Sequence, residues 1–160
     1  ALKAQLAELF GSWKAKQSYS RIPLSMKPVT GQKIELNTPD KATTFLLAVH
    51  PIALNDTAEN YPAMIMADHM LGGGALRSRL ADRIRQKEGL SYGVGSSLNV
   101  PEQDKSGFWI AYALNAPQNT AKVEAALREE VQKALTEGFT EAELAEAKKA
   151  WLQSAEVDRT

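Results

Sequence analysis

There is no cysteine among the 160 residues, and histidine is almost as scarce, with only His50 and His69. The first absence excludes disulfides, thiolate metal ligands and cysteine nucleophiles. It fits the cytoplasm and the periplasm alike. Charge of one sign is also lacking: 19 basic residues balance 19 acidic ones. No global field therefore draws nucleic acid or anionic lipid. No apolar run approaches the ~20 residues that span a bilayer. No basic segment followed by an apolar stretch opens the chain, so no signal peptide is visible. Ala1 falls inside a helical pattern with no initiator Met, and nothing stops the last helix before Thr160. The chain is therefore expected to be a piece of something longer.

What remains suits a single domain. Hydrophobic residues make up 44% of the chain, enough at this length for one core. Leu2, Leu6, Leu9, Phe10 and Trp13 have helical spacing, so residues 1–14 read as a helix from a preceding domain or linker. Residues 15–31 are polar, without period, and read as a connector. From residue 32 to 160 the order is ββααββαα. Strands are expected at Gln32–Asn37 and Thr43–Val49, joined by a turn at Thr38-Pro39-Asp40-Lys41. The second is apolar on both faces and reads as central.

A helix over 58–71 stops at Gly72-Gly73-Gly74. Another runs from about Ala75 to Glu88 with Leu76, Leu80 and Ile84 in a row, and Gly89 is its cap. Leu90–Val100 alternates, placing Leu90, Tyr92, Val94, Leu98 and Val100 on one face. A strand at Phe108–Leu114 and helices over 117–137 and from Thr140 onward complete the set. Thr140 with Glu143 forms a capping box. Paired hairpins and paired helices predict an α+β two-layer sandwich, a largely antiparallel sheet with helices on one face.

Several chemistries fail on residue pattern. A zinc hydrolysis site needs three protein ligands and an open position. Neither histidine begins H-E-x-x-H or the inverted H-x-x-E-H, and both read as ordinary structural residues. Ser78, Ser91, Ser96 and Ser97 lack a G-x-S-x-G elbow and a base to serve them. The triple glycine is not followed by Lys-Ser/Thr as in a phosphate loop, and reads as a turn between helices.

A basic cluster is more informative. Arg77, Arg79, Arg83, Arg85 and Lys87 stand against Asp82 and Glu88, a local excess of three positive charges in a neutral chain. Such a run is usually a solvated helix face. Arg85, however, lies at the edge of the apolar stripe, and Gly89 turns the chain into the strand that carries Tyr92. An Arg fork beside a Tyr hydroxyl offers aligned donors for peptide carbonyls and for developing oxyanion charge.

The stretch Leu71-Gly72-Gly73 through Ser78-Arg79-Leu80, then Ile84-Arg85-Gln86-Lys87-Glu88-Gly89-Leu90-Ser91-Tyr92, resembles the C-terminal domain of pitrilysin/insulinase-family zinc peptidases. Phe10-Gly11-Ser12-Trp13, Gly107-Phe108 and Gly138-Phe139-Thr140-Glu141-Ala142-Glu143-Leu144 agree with it in order. The resemblance implies a bacterial two-domain endopeptidase, periplasmic or otherwise exported, with the cytoplasm as the alternative. An N-terminal domain or a partner subunit supplies zinc and the glutamate base, and no zinc is bound by this chain. It also implies that residues 32–160 are the substrate-binding domain, truncated at its C-terminus. Within it Arg85 orients the peptide backbone and Tyr92 helps stabilise the tetrahedral intermediate. The alternative is a non-catalytic structural or partner subunit of the same kind of complex.

Overall fold

A computed structural model describes residues 2–157. Four α-helices are labelled α1 (Leu2–Phe10), α2 (Tyr61–Asp68), α3 (Thr120–Glu137) and α4 (Glu141–Val157). Three strands are β1 (Thr44–Ile52), β2 (Ser91–Asn99) and β3 (Gly107–Asn115), in a fully antiparallel sheet of order β1-β3-β2. The α+β two-layer class holds, with the helices on one face of the sheet.

The register explains the layering. Leu46, Ala113 and Val94 share one row across the sheet, and Ala48, Ala111 and Ser96 the next. This face meets Leu71, Leu80, Ile84, Val123, Ala126 and Leu127 in the core. Small side chains at Ala111 and Ala113 on the central strand let the helices approach closely. The opposite face is open and apolar. Phe45, Leu47, Val49, Tyr112 and Leu114 are exposed there, and the rings of Phe45 and Tyr112 stack at 6.3 Å.

Five expectations need correction. The strand at Gln32–Asn37 does not form: its turn closes, with Lys41 N–H donating to Thr38 O at 3.0 Å, but the segment stays unpaired. Lys33 donates instead to Glu124 of α3. Only Ile34 and Leu36 could be buried by pairing, too little apolar area to offset ordering the segment. The element order is therefore not ββααββαα, and β1 is an edge strand, consistent with Pro51 within it. The expected helix from Ala75 is broken. Ala75–Arg77 is a tight turn whose Ala75 takes φ 51°, and Ser78 caps the helical stretch after it, its Oγ accepting from Ala81 N–H. Leu76, ahead of the break, is exposed, whereas Leu80 and Ile84 are fully buried.

The last concerns periodicity. Strict alternation fails in β2, where Tyr92 is exposed and Val94 buried. Helix α1 forms within the stretch read as helical, and none of its apolar stripe is buried.

The capping box at α4 is present: Thr140 N–H donates to Glu143 at 2.7 Å, and Glu143 N–H to Thr140 Oγ at 3.2 Å. The same carboxylate anchors Arg79, which donates to both its oxygens at 2.6 and 2.8 Å, donates to Gly138 O and lies over the Phe139 ring. Arg79 and the two Thr140 donors hold the Glu143 carboxyl at about 2, against an ordinary 4.5. Because the folded value is depressed, this stabilisation is present above 4.5 and lost as pH falls towards 2. Arg79→Ala is expected to cost about 2 kcal/mol at neutral pH, allowing for partial solvent screening. Urea unfolding at pH 7 and at pH 2.5 checks this: the gap between wild type and variant narrows at the lower pH.

Candidate functional site

Arg85 and Tyr92 are brought together by an unusual run of backbone. Across Ala81–Lys87 the helix widens to i→i+5 bonding, and Glu88 N–H donates to Arg83 O at 3.0 Å. Wide turns of this kind recur at functional sites because they re-aim side chains. Gly89 then adopts φ +60°, a left-handed conformation that favours glycine, and Leu90 N–H closes back on Ile84 O at 2.9 Å. The chain reverses directly into β2. The Arg85 guanidinium lies over the Tyr92 ring, 5.8 Å from its centroid. That is within cation–π range. Tyr92 is 84% exposed, so its hydroxyl faces solvent together with the guanidinium.

The rest of the basic cluster is spoken for. Arg77 pairs with Glu146, Arg79 with Glu143, and Lys87 with Asp82. Arg83 reaches Glu88, Glu129 and Glu130, which together raise its affinity for its proton. Among the described residues Arg85 alone in this cluster has no acidic partner. Arg77, Arg79 and Arg83 tie this stretch to α3 and α4, Lys87 pairs within it, and Arg85 is presented on a ring. Arg83 matters here as well, since its carboxylates tie the widened helix to α3.

Some supporting residues are not recognisable in the sequence. Asp68, at the end of α2, accepts from Ser96 Oγ at 2.6 Å and from Trp109 Nε1 at 2.8 Å, joining the helix to two strands. The only signal for it is an acid within an apolar run from Met64 to Met70. Ser96 is no nucleophile: it is buried and its hydroxyl serves Asp68. Ser91 is buried too, and its hydroxyl is spent on Gly93 O and Leu114 O. Ser78 caps a helix and Ser97 is exposed on β2.

The two histidines do not meet. His50 lies on β1 opposite Trp109, and His69 opens the turn His69–Gly73 after α2. Among the described residues no three His, Cys, Asp or Glu side chains are grouped to hold a metal ion. The donors present among the described residues do not supply the three ligands that a zinc hydrolysis site needs. No helix among the described residues is long and apolar enough to cross a membrane. A shallow cavity of about 330 Å³ between α4 and the His69–Arg77 stretch contains neither Arg85 nor Tyr92.

Comparison with known proteins gives these features a context. The family described as the peptidase M16 inactive domain matches residues 1–151. A solved peptidase M16 inactive domain from Pseudomonas fluorescens is similar at 25% identity and TM-score 0.64, over 72% of this chain and 27% of that one. A protease from Helicobacter pylori is similar at 16% identity and TM-score 0.74, over 99% of this chain and 38% of that one. The periplasmic protease PqqL from Escherichia coli is similar at 20% identity and TM-score 0.64, over 98% of this chain and 17% of that one. The latter two likenesses speak to the fold alone. This chain spans well under half the length of each of the three. No curated protein matches.

Proposed function

The chain belongs to the peptidase M16 inactive-domain family, and from that membership we propose that it holds the peptide for a zinc-dependent endopeptidase whose zinc and general base lie elsewhere. They are supplied by an N-terminal domain or a partner subunit, and the substrate is a peptide or small protein. One observation carries the reading: in a cluster whose other cations are all neutralised, Arg85 is left unpaired and stacked on an exposed Tyr92. A structural arginine in this neighbourhood has carboxylates available to it, as Arg83 and Arg79 do. A free guanidinium fork suits backbone carbonyls of an extended peptide. The adjacent phenol supplies a donor that strengthens its bond as negative charge develops on a carbonyl oxygen.

The description of the family as inactive agrees with a division of labour in which this half binds and the other half cleaves. It also leaves room for a purely structural subunit, against which the exposed Arg–Tyr pair argues. An exported location for the whole protein is part of the same proposal, by analogy with the E. coli protein described as a periplasmic protease, whose likeness to this chain is one of fold.

Metal analysis and a peptide-cleavage assay on this chain alone test the division of labour. The expected result is substoichiometric zinc after dialysis and no peptide hydrolysis. One tightly held zinc per chain would overturn it.

A further inference from the structure

Tyr92 owes its direction to a defect in its own strand. Ser91 stands opposite Asn115 and Gly93 opposite Leu114, so two steps along β2 match one along β3. Tyr92 is the extra residue of a β-bulge. Bulges leave the inserted residue unpaired and swing its side chain out of the regular alternation. Val94 consequently points into the core while Tyr92 points to solvent beside Arg85.

A bulge interrupts the hydrogen-bond ladder, and something must compensate the carbonyls beside it. Here it is the Ser91 hydroxyl. Ser91 is 7% exposed, and its Oγ lies 2.8 Å from Gly93 O and 2.7 Å from Leu114 O. Those two carbonyls belong to the pair of residues that face each other just past the bulge. A single hydroxyl proton is shared between them and ties the bulged segment both to itself and to the central strand. On the other side of Ser91, Asn119 Nδ2 donates to Leu90 O at 3.2 Å, fixing where the strand begins.

We propose that Ser91 is a positioning residue for Tyr92: its hydroxyl holds the bulge that sets the phenol beside the Arg85 guanidinium. The proposal rests on the reading of Arg85 and Tyr92 as the peptide-holding pair. A serine that merely filled space would be replaceable by alanine without moving Tyr92. Threonine keeps the hydroxyl and is well suited to a strand. Cysteine keeps the size with a much weaker donor.

The test has two arms. In this chain, nuclear Overhauser contacts between the Arg85 side chain and the Tyr92 ring are compared in wild type, Ser91→Ala, Ser91→Cys and Ser91→Thr. They are expected to be lost in the alanine variant, weakened in the cysteine variant and kept in the threonine variant. Contacts of wild-type strength in whichever of Ser91→Ala and Ser91→Cys folds overturn the proposal. In the longer protein that contains this chain, Ser91→Ala is expected to lower kcat by roughly tenfold with KM little changed, and Ser91→Thr to restore it. If the contacts are lost yet Tyr92→Phe cleaves peptides normally, the functional reading fails while the positioning role of Ser91 stands.

Discussion

Replacing Gly72 by alanine is expected to destabilise the chain by about 3 kcal/mol, the upper end of what overpacking a filled core costs. Of the three consecutive glycines, Gly72 is the one whose missing side chain faces the sheet. A Cβ there would lie 2.7 Å from the backbone N and 2.8 Å from the Cβ of Ser96 on β2. Added atoms at Gly73 and Gly74 would instead meet Asp68, the last residue of α2, and His69, the first of the turn, each five residues earlier in the chain. The backbone of a strand paired with β3 at Ser96 and on both sides of it cannot yield by tenths of an ångström without disturbing the ladder. The turn after α2 must retreat, and with it the bond from Ser96 to Asp68. Urea unfolding checks the figure through a lowered midpoint at unchanged slope. Ser96→Gly in the same chain should restore only part of the loss, because the Ser96 backbone N remains in the way. A loss below about 0.5 kcal/mol, ordinary for a surface change, would show that the approach is not tight.

That glycine marks where the sequence is legible and where it is not. Gly72-Gly73-Gly74 reads as a turn between helices, and a turn is there. What no local pattern reveals is that one of its members is pressed against a strand 24 residues later in the chain. The same boundary runs through the site. Gly89 announces a left-handed cap, and the cap places the residues before and after it side by side. The nearness of Arg85 to Tyr92 is thus readable from a local motif. The bulge is not, because alternation over Leu90–Val100 looks unbroken until β3 supplies a register to count against. Thr140 and Glu143 carry their whole meaning within four residues, and that capping box forms as expected. Gln32–Asn37 has a turn and a strand-like composition, but a strand also needs a neighbour, and none of the described strands pairs with it. Helix α1 likewise has an amphipathic pattern without a surface to cover among the described residues. In the basic cluster, spacing gives the five cations equal standing. Only the carboxylates of α3 and α4, folded against them from elsewhere in the chain, single out Arg77, Arg79 and Arg83 as the three that brace the fold, while Lys87 pairs locally with Asp82.

Arg85 and Tyr92 carry the second large effect. Both are exposed and neither sits in the core, so Arg85→Ala and Tyr92→Phe should leave stability within about 0.5 kcal/mol of wild type. Tyr92→Phe preserves the ring beneath the guanidinium and removes only the hydroxyl. If that hydroxyl donates to developing oxyanion charge, its loss lowers kcat and kcat/KM together, because the interaction exists in the transition state alone. Arg85→Ala removes the fork that orients the peptide backbone, which raises KM as well as lowering kcat. Arg85→Lys should behave like the alanine variant, since a point charge cannot reproduce two aligned donors.

The most direct measurement of the peptide-holding role is therefore peptide turnover by the longer protein that contains this chain, in wild type, Arg85→Ala and Tyr92→Phe. With unfolding midpoints shown to be unchanged, kcat/KM is predicted to fall by at least ~10-fold in each variant, about 1.4 kcal/mol of transition-state stabilisation. Turnover equal to wild type in both variants would contradict that role.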